Sequence, residues 1–144
     1  MALPFLDTNI LLRHLLGDHP EQSPRSTALL RRIERGELEA QLSDMVVFET
    51  VFTLERSYRI PKDQIRRQML ALLSLPGIVL PGKRRYDRVF DLYVDNNLPF
   101  GDAYIVAEME RAGATEVYSF DRELSRILGI IRIEPPAETL DEEY

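Results

Sequence analysis

The chain has no cysteine, only two histidines and less positive than negative charge. Without cysteine there can be no disulfide and no thiolate zinc site, and a cytoplasmic location is the plain expectation. The histidines, His14 and His19, stand five residues apart. On one helix they diverge by about 140°, so a metal-free ribonuclease using both as acid and base is disfavoured. Lys62 and Lys83 are the only lysines, and neither falls late in the chain near a strand end. Aspartyl-phosphate phosphatases and receiver domains need such a lysine, and the phosphatases also need an acid where Asn9 stands. No apolar run is long enough to span a bilayer. The opening residues reach a charge at Asp7 too soon for a signal peptide. The net charge of −6, from 18 basic and 24 acidic residues, argues against a simple RNA-binding module. It does not argue against a metal nuclease, whose acids are neutralised by the cation they hold.

What is present is an alternation of short strands and helices over 144 residues, the length of one domain. Apolar runs at residues 3–6, 38–42, 78–80, 116–120 and 130–133 predict five strands. Helices are predicted over 10–16, from Pro20 to a stop at Gly36, and over 45–58, 61–73, 83–95 and 101–112, with a short one from Asp121. Ser43 is a suitable N-cap, Pro61 suits a first turn, and Gly17 and Gly113 suit C-caps. This order predicts an α/β fold with a short, mostly parallel sheet of about five strands flanked by helices. The domain is read as residues 1–136, followed by an acidic tail, 137–144, expected to be mobile.

In such sheets ligands bind beyond the carboxyl ends of the strands. Asp7 ends the first strand and Asp121 the fourth. Asp102 opens a helix, and Glu49 lies on the helix after the second strand. Asp7, Asp102 and Asp121 each have an ordinary use as a cap or first-turn residue. Glu49 stands out because Met45, Val46 and Phe52 are its helical neighbours, which predicts a carboxylate on an apolar face. The alternative is an ion pair with Arg56. Four acids brought to one sheet edge would repel without a counter-ion. Oxygen donors without cysteine or a histidine pair suit a hard cation, Mg²⁺ or Mn²⁺, as one or two ions.

The motifs around these acids resemble a known family. Phe5-Leu6-Asp7-Thr8-Asn9 is similar to the opening strand and loop of PIN-domain nucleases. Val47-Phe48-Glu49-Thr50, Phe100-Gly101-Asp102-Ala103 and Ser119-Phe120-Asp121-Arg122 are similar to their next three acidic motifs, in the same order. Length and motif style most resemble the VapC-type toxins of toxin–antitoxin pairs. One departure is Thr50, where a larger apolar residue is usual.

The resemblance implies a three-layer PIN-like sandwich and a metal-dependent endoribonuclease leaving 5′-phosphate and 3′-hydroxyl ends. Asp7, Glu49, Asp102 and Asp121 would be catalytic. Asp7 and Asp102 would bind the metal, with Asp121 and Glu49 joining directly or through water. Thr8, Asn9 and Ser119 would support the acids. The RNA would be gripped by arginine-rich stretches: Arg13 near the acids, Lys83, Arg84 and Arg85 with Arg88, and Arg31, Arg32 and Arg35. The family also implies a VapB-type antitoxin partner and a homodimer. A housekeeping RNA-processing nuclease and a catalytically silent binding module of the same fold are the alternatives.

Overall fold

The computed structural model describes residues 2–137. Of the expected tail, residues 138–144 lie outside the described residues. Six α-helices are present: α1 (Thr8–Leu16), α2 (Gln22–Glu34), α3 (Asp44–Arg56), α4 (Lys62–Leu73), α5 (Arg85–Asp95) and α6 (Phe100–Ala112). Their ends follow local chemistry. Asp7 caps α1 by accepting from Thr8 N at 2.8 Å, and Gly17 ends it in the left-handed region. Ser43 caps α3 through Val46 N at 3.2 Å. His19 Nδ1 accepts from Gln22 N at 2.9 Å, so this histidine is occupied at the start of α2. His14 is engaged with Thr27 at 2.9 Å, and burial holds its pKa below the usual range. None of the described helices is long and apolar enough to cross a membrane.

All strand pairing among the described residues is parallel. β1 (Ala40–Gln41) pairs with β2 (Ile78–Val79), and β3 (Glu116–Tyr118) pairs with β4 (Ile131–Ile133). The opening segment joins β1 through one bridge, Phe5 to Gln41, with Leu6 N donating to Gln41 O at 2.8 Å. The five expected strand segments are thus found, but divided between two ladders instead of one continuous sheet. The segments are only two or three residues long, and Pro4 removes a donor from the first. Gly77, just before β2, is required by packing. A Cβ there would lie 2.6 Å from Leu38 O and 2.8 Å from Ile33 O.

The core sits between the first ladder and the helices. α1 packs on α2 and α3, and α5 packs on α4 and α6. Aromatic rings join α3, α5 and α6: Phe48 meets Phe100 edge-on at 5.2 Å, and Phe90 lies 5.1 Å from Phe100. That contact carries the N-terminal turn of α6, and with it Asp102, to the middle of α3, where Glu49 follows Phe48.

Candidate active site

The first strand segment hands the chain to α1 at Asp7, so the capping residue of that helix is also the first of the four acids. The next residue, Thr8, donates its hydroxyl to Glu49 Oε2 at 2.7 Å. Asp7 and Glu49, distant in sequence, are therefore linked through Thr8. Glu49 is exposed. The expectation that it sits on a dry apolar face is corrected by the structure. α3 buries Val47, Thr50, Val51 and Leu54, while Met45 (64% exposed) and Phe52 (38%) lie on the outer face beside Glu49. Of its apolar neighbours only Val46 packs against the core; Met45 and Phe52 are at the surface. Arg56 is also not its partner; it lies over the Phe52 ring at 5.7 Å. Thr50, the departure from the family pattern, is fully buried and donates to Val46 O at 2.7 Å.

The second pair is Asp102 with Asp121. Asp102 lies in the first turn of α6, half-buried. Asp121 follows β3 and caps the 3-10 segment Arg122–Arg126 by accepting from Glu123 N at 2.9 Å. Ser119 Oγ accepts from Asp121 N at 2.9 Å, which fixes this loop. Burial, contact with the Asp121 carboxyl and repulsion from Asp121 and Glu123 together raise the Asp102 pKa. Asp102 Oδ2 is buried without a hydrogen-bond partner. A buried orphan oxygen is costly unless something compensates it.

None of Asp7, Glu49, Asp102 and Asp121 forms a salt bridge among the described residues. Nor do three or more acidic or histidine side chains among those residues stand close enough to hold a metal ion together. The acids stand as two linked pairs, Asp7 with Glu49 through Thr8 and Asp102 with Asp121. Their chemistry fits a divalent cation: two carboxylates side by side, one with an unsatisfied buried oxygen, and no protein cation against either.

The expected RNA-gripping residues divide differently. Lys83 Nζ donates to Leu75 O and Ile78 O, both at 3.0 Å, and so ties the end of α4 to β2. Arg85 is mostly buried, with Nη2 bonded to both Asp44 oxygens at 3.0 and 3.1 Å and Nη1 bonded to Tyr104 Oη at 2.7 Å. Expected as surface grips, both side chains are instead engaged within the fold, Lys83 by carbonyls five and eight residues away and Arg85 by a carboxylate 41 residues away. Arg88 is bound to Glu110. Arg84 is exposed. Arg13 pairs with Asp18 at 3.2 Å, and its Nε is buried without a partner. Asn9 is exposed on the first turn of α1. Motif reading passed over Gln22, Arg25 and Ser26, which share a cleft with Asn9 and Arg13. Their spacing places them on one face of α2, and that periodicity was the available signal.

The PIN domain family model matches residues 5–129. No curated protein matches the chain.

Proposed function

Because the chain belongs to the PIN-domain family, a family of nucleases, we propose that it is a divalent-metal-dependent endoribonuclease, the toxin of a VapBC-type pair. The observation that carries this reading is the Asp102–Asp121 pair with its orphan Oδ2. A fold that only needed these residues as caps would gain nothing by pressing two carboxylates together.

Asp102 and Asp121 would hold Mg²⁺ or Mn²⁺, with Asp7 and Glu49 completing the set directly or through water. Such an ion supplies charge neutralisation at the phosphate and lowers the pKa of water. The chain's own side chains do the positioning. The Thr8 hydroxyl holds one Glu49 oxygen and leaves the other free. The cap on Thr8 N engages Asp7 Oδ1 and leaves Oδ2 for other work. Ser119 and the Glu123 amide set the Asp121 carboxylate facing Asp102. In the metal-free protein Asp102 retains a proton to higher pH than an ordinary aspartate, which relieves the repulsion.

Acids without protein cations also leave room for a partner's basic side chain, in keeping with an antitoxin that covers the cleft; a homodimer is the family expectation. Cleavage of RNA in Mg²⁺ or Mn²⁺, in EDTA and with Asp7→Ala tests the nuclease reading. Persistent cleavage in EDTA, or by the folded variant, would end it. Growth arrest on expression, lost in Asp102→Asn, tests the toxin role.

A further inference from the structure

A cleft of about 370 Å³ opens between α1 and α2, beginning two residues beyond Asp7 at Asn9. Its volume lies at the lower end of small-ligand sites, roughly 300–1,000 Å³, which is room for one nucleotide and not for a run of them. Its polar lining comes from Asn9, Arg13, Gln22, Arg25 and Ser26. Ile10 and Leu29 form its apolar walls.

Three of these polar groups bear on what the cleft can hold. Ser26 is 4% exposed and lines the cleft. Arg13 Nε is buried with no partner. Arg25 has one ion pair, with Glu21 at 3.7 Å, in which both side chains are more than three-quarters exposed. An exposed pair of that length holds its charge weakly. Two guanidinium groups, two carboxamides and the Ser26 hydroxyl between apolar walls are complementary to a phosphate, a sugar and the flat face of a base.

We infer that this cleft binds one nucleotide of the RNA strand next to the acids. Arg13 and Arg25 take its phosphate. Ser26, Asn9 and Gln22 bond the sugar and base edge, and Ile10 and Leu29 contact the base face. The inference rests on the ribonuclease reading for its substrate, but binding at the cleft requires no cleavage and no metal.

The test is a titration of the full chain with a nucleoside 5′-monophosphate in EDTA, followed by amide chemical shifts. Saturable shifts are expected at Asn9, Arg13, Arg25 and Ser26. Arg25→Glu, an exposed change that leaves the spectrum folded, should weaken binding about tenfold by removing a charge-assisted contact. Ser26→Ala should weaken it about threefold by removing one hydrogen bond. Arg111→Glu, an exposed change in the last turn of α6 outside the cleft lining, should change it less than about twofold, being away from the ligand. No saturable shift, shifts centred on Arg31 to Arg35, or full affinity in Arg25→Glu would overturn the subsite. RNA cleavage by a protein that fails this titration would leave the nuclease reading standing. Nucleotide binding by a protein that cleaves nothing would leave the subsite and remove the nuclease.

Discussion

Two carboxylates in this protein sit in comparable places and have opposite surroundings. Asp44 opens α3 and Asp102 lies in the first turn of α6, each where a helix N-terminus favours negative charge. Asp44 is fully provided for: Arg85 meets both its oxygens, and the Tyr86 hydroxyl donates to it as well. The Tyr86 proton is held far above its usual range, by burial first and then by that bond. Asp102 has a second carboxyl against it and a buried oxygen bonded to nothing. The fold can supply a partner to a first-turn aspartate and does so at Asp44. It does not do so at Asp102, and the proposed cation site would account for that difference.

The sharpest way to break this comparison is to neutralise each acid's environment separately. Asp102→Asn should lower RNA cleavage about a thousandfold, or ~4 kcal/mol at 1.36 kcal/mol per decade. It should leave the metal-free fold at least as stable, raising Tm by a few degrees at neutral pH as repulsion is relieved. Thermal loss instead would make Asp102 a structural residue like Asp44. Arg85→Met should do the reverse and destabilise by about 2–3 kcal/mol in urea. That is below the roughly 3–5 of a fully buried pair, because Asp44 is 41% exposed.

The difference also has a pH signature. Asp102 binds its proton more tightly folded than unfolded. Its burial therefore costs little in acid, and the cost grows as pH rises through the raised folded pKa. The stability gap between Asp102→Asn and the native chain should open over that interval and stay constant above it. A gap independent of pH would remove the electrostatic account. A smaller effect is expected at Thr8→Val, which frees Glu49 from its 2.7 Å bond. Cleavage should fall about tenfold, with stability changed by less than about 0.5 kcal/mol because the site is exposed. The smallest is Arg84→Glu, exposed, whose folding stability should stay within about 0.5 kcal/mol.

Much of this was legible in the sequence where the determinant is local. The Ser43 cap, the Gly17 and Gly113 stops and the Pro61 start depend on a few adjacent residues, and α1, α3, α4 and α6 begin and end within about two residues of expectation, as helix boundaries allow. The order of the acidic motifs marked the family over residues 5–129. What depends on distant contacts was not legible. Nothing near Arg85 announces Asp44, 41 residues earlier, as its partner. Nothing near Glu49 says that Met45 and Phe52 face solvent. The division of the strands into two ladders likewise follows from segments too short for their pattern to specify neighbours.

Calorimetric titration of Mn²⁺ into the native chain, Asp102→Asn and Asp44→Asn at neutral pH tests the central claim most directly. Saturable binding by the native chain and by folded Asp44→Asn, abolished in Asp102→Asn, is the predicted result. No binding by the native chain, or undiminished binding after Asp102→Asn, would contradict it.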